Sequence, residues 1–90
     1  MKVTLYSLPN KACHQCRFTK KKFDDLGIRY TEIRADLDAE VLRVLKGDLL
    51  SDPEARLAMP VVRVDLGDGA TWTWQGFQPS QIERLMNVIA

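Results

Sequence analysis

Cys13 and Cys16 are the only cysteines in a chain of 90 residues, and they stand at the junction of two different patterns. Before them, Lys2-Val3-Thr4-Leu5-Tyr6-Ser7 alternates polar and apolar residues rich in β-formers, the pattern of a strand, until Pro9-Asn10 breaks it. After them, Cys16, Thr19, Phe23 and Leu26 recur at helical spacing as far as Gly27, a residue suited to closing a helix. The chain must therefore begin strand, turn, helix, with both sulfurs meeting at the helix's first turn. Unpaired N–H groups and the helix dipole favour an anion there. They draw a thiol pKa from about 8.5 toward 7 or below, so a thiolate exists at neutral pH. The expected chemistry is thiol–disulfide exchange, with Cys13 as attacking thiolate and Cys16, one turn in and shielded, as resolving thiol. A C-x-x-C pair alone also admits two small buried hydrophobes; its place at a strand–helix junction is what favours redox chemistry.

The remainder of the chain continues the alternation of strands and helices. Residues 28–34 alternate again and predict a second strand. Asp36 or Asp38 can cap a second helix carrying Val41, Leu42, Leu45 and Leu49, which Gly47 is expected to interrupt or end. Ser51-Asp52-Pro53-Glu54 reads as a fresh helix start with Pro53 in the first position. Residues 60–66 form a β-branched run, Asp68-Gly69 signals a hairpin, and Thr71–Trp74 pairs back as the last strand. A closing helix over 78–90 carries Ile82, Leu85, Met86 and Ile89 on one face. Its start is set either by Pro79 as first helical residue or by a Ser80–Glu83 capping box. The order β-α-β-α-β-β-α implies an α/β fold in one domain spanning 1–90, with a four-stranded mixed sheet flanked by three helices.

Composition narrows the function. Hydrophobic residues make up 46% and charged residues 28%, and 13 Lys+Arg against 12 Asp+Glu leave a net charge of +1. That balance gives no electrostatic case for nucleic acid or an anionic membrane as main partner. The N-terminal apolar run is too short for a signal peptide, and no apolar stretch approaches the ~18 residues of a membrane helix. A cytoplasmic protein is expected, and in a reducing compartment two cysteines are catalytic or metal-binding sooner than a permanent staple. A closed zinc site needs about four ligands, whereas the chain offers two Cys and one His, so no metal is expected within one subunit. His14, beside the nucleophile, either depresses the Cys13 pKa when protonated or is an exposed loop residue without consequence. Lys20-Lys21-Lys22 reads as a solvated helix face, and Trp72 and Trp74 as hairpin packing on one strand face.

Five segments together are familiar: Val3–Tyr6, Cys13-His14-Gln15-Cys16, Thr19-Lys20-Lys21, Met59-Pro60-Val61-Val62 and Trp74-Gln75-Gly76-Phe77-Gln78-Pro79. They resemble the NrdH-type redoxins, glutaredoxin-like proteins of the thioredoxin superfamily, over nearly the whole chain. The last segment is similar to the family's Trp-Ser-Gly-Phe-Arg-Pro signature. The resemblance implies a thioredoxin-like (glutaredoxin) fold and a monomer without cofactor beyond the Cys13–Cys16 disulfide. It also implies reduction by thioredoxin reductase and delivery of electrons to the large subunit of class Ib ribonucleotide reductase. Pro60, which the residues alone leave open between a cis-proline and a trans edge-strand opener, is implied to be cis and to face the dithiol. Met59, Pro60, Trp74, Gly76 and Phe77 are implied to form the substrate-binding surface. The chain departs from the pattern at Leu8, where relatives carry Lys before Pro, at the small insertion Asn10-Lys11, at His14, at Gln78, and in the length of 47–59.

Two other functions compete. A glutathione-dependent glutaredoxin would need a Lys before the loop, an aromatic in C-P-Y-C and a Gly-Gly-x-Asp-like turn; here Leu8, Gln15 and Gly76-Phe77-Gln78-Pro79 stand in those places. A non-catalytic dimeric iron–sulfur or metal carrier would use one thiolate from each subunit.

Overall fold

The computed structural model describes residues 1–50, 52 and 56–89. Four strands, β1 (Lys2–Ser7), β2 (Thr31–Arg34), β3 (Val61–Asp65) and β4 (Thr71–Gln75), form one sheet in the order β2-β1-β3-β4. β1 runs parallel to β2 and antiparallel to β3, which is antiparallel to β4. Three α-helices accompany them: α1 (His14–Asp25), α2 (Ala39–Leu49) and α3 (Pro79–Ile89). This is the expected mixed sheet with three helices, with a short 3-10 turn over Ala35–Leu37 added before α2.

Register explains the core. Val3 faces Val64 and Leu5 faces Val62 across β1 and β3, while Val62 faces Trp74 and Val64 faces Trp72 across β3 and β4. The period of two puts these side chains on one face. There they pack with Phe23 of α1 and with Ile82 and Leu85 of α3, all three fully buried. Arg63 alternates to the opposite face and pairs with Asp48 of α2 at 3.3 Å, which places α2 on that side. No helix among the described residues is long and apolar enough to cross a membrane.

Local chemistry sets the element ends. Gly27 takes φ 71°, its N–H bonds the Asp24 carbonyl and the Ile28 N–H reaches back to Phe23 O at 2.9 Å, a Schellman close to α1. Spending the Ile28 N–H on the helix delays β2, which starts at Thr31 and not at residue 28 as the alternation predicts. Asp38 is the residue that caps α2, accepting from the Glu40 and Val41 N–H groups; Asp36 instead pairs with Arg34. Gly47 neither interrupts nor ends α2, which runs two residues further. A mid-helix Gly costs about 1 kcal/mol relative to Ala, and buried Leu45 anchors the helix regardless. Pro79 is the first residue of α3, so the Ser80–Glu83 capping box is not used. The helix start expected at 51–54 lies almost wholly outside the described residues.

Lys20 corrects the reading of a solvated lysine run. Its side chain is only 17% exposed and its Nζ bridges Asn10 Oδ1 (2.6 Å) and Glu32 Oε2 (3.0 Å), tying the loop before the cysteines to β2. Fully buried Ser7 donates to the same Glu32 oxygen at 2.6 Å. Burial alone would raise the Glu32 pKa, but the Ser7 and Lys20 hydrogen bonds and the cationic charge outweigh it, leaving the carboxyl below its ordinary value. A folded pKa held below the unfolded value of about 4.3 gives stability that is present above that value and lost as pH falls through the folded one. Glu32→Gln is expected to lower the melting temperature at pH 7 by an amount equivalent to no more than about 1 kcal/mol. That gap closes as the pH falls below about 4.3 and through the lowered folded value. Thermal melts of both proteins across this range check it, and a gap independent of pH contradicts it.

Candidate active site

The dithiol lies where β1 gives way to α1. The connecting loop is held by Ala12 N–H to Pro9 O (2.8 Å) and Cys13 N–H to Asn10 O (3.4 Å), and Cys13 becomes the N-cap of α1. Its Sγ accepts from the Cys16 N–H at 3.1 Å, the helix-terminal contact that stabilises negative charge on sulfur. Cys13 and Cys16 are joined as a disulfide with their Cα atoms 5.3 Å apart. The two differ in access: Cys13 is 7% exposed, Cys16 is 0%. Thr19, one turn below, is also fully buried and donates its hydroxyl to the Gln15 carbonyl at 2.8 Å.

The Met59–Pro60 peptide bond is cis, as the resemblance implies. Met59 O lies 3.6 Å from Cys13 Sγ, a position in which the reduced thiol can donate to it. An open groove of about 370 Å³ runs past Cys13, lined by Leu8, His14, Gln15, Leu57, Ala58 and Met59. Beyond Pro60, its carbonyl accepts the Gly76 N–H at 2.8 Å, and Gln75 Oε1 accepts the Ala58 N–H at 2.9 Å. The structure thus gathers Cys13, Cys16, Met59, Pro60, Gly76 and Phe77 at one end of the sheet.

Two residues implied for the site lie differently. Trp74 is 4% exposed and belongs to the core cluster, because its β4 register sets it opposite Val62; it offers no surface to a substrate. His14 is exposed, and the bond its ring makes is to the Arg17 guanidinium, Nδ1 to Nη2 at 3.3 Å. Two residues that were not among the expected site residues come into view. Gln15 Oε1 accepts the Phe77 N–H at 2.8 Å, linking the C-x-x-C turn to the β4–α3 connection. Phe18, 48% exposed, sets its ring 6.1 Å from that of Phe77 and under the Arg17 guanidinium. An apolar residue exposed at helical position 18, off the face carrying Cys16, Thr19 and Phe23, was the available signal for the second. Among the described residues there is no group of three or more His, Cys, Asp or Glu side chains that could hold a metal ion.

A dithiol cap on α1 beside the Met59–Pro60 bond, on this sheet order, defines a thioredoxin-fold thiol–disulfide oxidoreductase. A family model described as Glutaredoxin matches residues 3–65. The chain belongs to the glutaredoxin family, as a glutaredoxin-like redoxin of the NrdH type. Among solved structures, NrdH-redoxin from Escherichia coli superposes with a TM-score of 0.72 at 30% identity, covering 94% of this chain and 95% of that one. The thioredoxin-like protein BC3987 gives 0.68 at 25% identity over 93% and 99% of the two chains, and a point mutant of it gives 0.70 at 26% over 96% and 95%. No curated protein matches the chain in sequence.

Proposed function

We propose that this redoxin accepts electrons from thioredoxin reductase in the cytoplasm and passes them to a protein disulfide, with class Ib ribonucleotide reductase as client. In this reading the Cys13 thiolate attacks one sulfur of the client disulfide. A Cys13–client mixed disulfide forms and one client thiolate leaves. The Cys16 thiolate then attacks the Cys13 sulfur, releasing the second client thiolate and leaving the Cys13–Cys16 disulfide. Two electrons pass from the redoxin to the client, and the client thiolates take up the two protons that the redoxin thiols give up. Met59, Pro60, Gly76 and Phe77 form the surface along which the client lies, with Met59 backbone able to pair with an extended client chain. The more accessible Cys13 suits the attacking role and the fully buried Cys16 the resolving one.

The choice of reductase rests on the turn at 76–79. A glutathione carboxylate needs cationic or N–H donors, and here the Phe77 N–H is already taken by Gln15 Oε1 while Pro79 has none to give. The Escherichia coli relative is described as glutaredoxin-like with a thioredoxin-like activity profile, which agrees with this reading. NADPH consumption with a disulfide substrate tests it. Rapid turnover is expected with thioredoxin reductase and little with glutathione plus glutathione reductase. Turnover with glutathione alone would overturn it.

A further inference from the structure

We infer that Gln15 is a positioning residue for protein substrates: its side-chain carbonyl holds the Gly76–Phe77 edge at a fixed setting beside Cys13. The inference rests on the reading that clients lie along that edge. Gln15 is bracketed by the two cysteines, so any group it grips is placed relative to both sulfurs. Its backbone carbonyl is fixed from below by the buried Thr19 hydroxyl at 2.8 Å, and its Oε1 grips the Phe77 N–H at 2.8 Å, 62 residues away in sequence. Gly76 is what lets the side chain reach: a Cβ at that position would stand 3.0 Å from Gln15 Oε1 and 3.6 Å from Ala58 Cβ. At φ 79° the backbone there also favours glycine. The same connection is tied on its other side to the segment carrying Met59, through Gly76 N–H to Pro60 O and Gln75 Oε1 to Ala58 N–H. Gln15 therefore completes a run of hydrogen bonds beside the dithiol, joining the start of α1 to the β4–α3 connection, which is in turn bonded to the cis-proline segment. With Oε1 removed, the Phe77 N–H returns to water and the run is broken at its α1 end. The sulfurs and their cap contact are untouched.

The test is single-turnover oxidation of the pre-reduced protein by insulin, following thiol loss against insulin concentration, so that no reductase enters the result. Gln15→Met keeps length but removes the acceptor. The half-saturating insulin concentration is expected to rise about fivefold, the effect of one net hydrogen bond, with the limiting rate held within about twofold. Gln15→Glu keeps an acceptor oxygen, so its half-saturation stays close to that of the parent protein. Phe77→Ala reports whether insulin uses this edge at all, and raises half-saturation as well. No effect in either Gln15→Met or Phe77→Ala ends the docking reading and the inference with it. An effect in Phe77→Ala but none in Gln15→Met ends the inference alone, as does a Gln15→Met defect confined to the limiting rate.

Discussion

Cys13→Ser is expected to reduce disulfide exchange to background, because a serine hydroxyl at the α1 N-cap cannot form the mixed disulfide through which electrons pass. The geometry makes this loss asymmetric. Cys13 Sγ takes the Cys16 N–H and edges the groove with Met59, so it is the sulfur an incoming disulfide meets. Cys16 is fully buried and can reach only the sulfur of Cys13. Cys16→Ser should therefore keep the first step and lose the second. Turnover by NADPH-coupled or insulin-reduction assay is at background for both variants, yet only Cys16→Ser consumes one equivalent of client disulfide. Full activity in Cys13→Ser would remove the basis of the mechanism.

Phe23→Ala is expected to cost about 3–5 kcal/mol, as truncating a fully buried aromatic does. A domain of this size has roughly 5–14 kcal/mol in total, so the melting temperature should fall by some 12 °C or more. The consequence reaches the site. Phe23 is the residue of α1 that enters the core with Val62, Val64, Ile82 and Leu85, and it packs its ring 5.4 Å from Tyr30 at the approach to β2. It also supplies the carbonyl that closes α1 through Ile28 N–H. A loosened α1 no longer holds Cys16 N–H against Cys13 Sγ. Calorimetry checks the stability; a loss under about 1 kcal/mol would mean that Phe23 does not anchor the helix.

These two residues show what the sequence made legible. Phe23 and the face it shares with Cys16 and Thr19 follow from helical period, Val3 and Leu5 from strand alternation, and the strand holding Val62 and Val64 from its β-branched run, because these signals are local. The dithiol was legible for the same reason: its spacing and its place before a helix lie within a few residues. What escaped are the long-range contacts. Nothing near Gln15 points to Phe77, 62 positions on, and nothing in a run of three lysines shows that Lys20 alone folds back onto Asn10 and Glu32. Trp74 went to the core and not to the surface because strand register, set by pairing with β3, decides which face of a hairpin is covered. Gly47 stayed helical because tertiary burial of Leu45 exceeds the intrinsic cost of one glycine.

Covalent trapping decides which sulfur attacks the client. Reduced Cys16→Ser is mixed with insulin under non-reducing conditions, and the product is digested and read by mass spectrometry. A one-to-one adduct on Cys13 that dithiothreitol releases is expected, with no comparable adduct from Cys13→Ser. An adduct on Cys16 in Cys13→Ser, with none on Cys13 in Cys16→Ser, would contradict it.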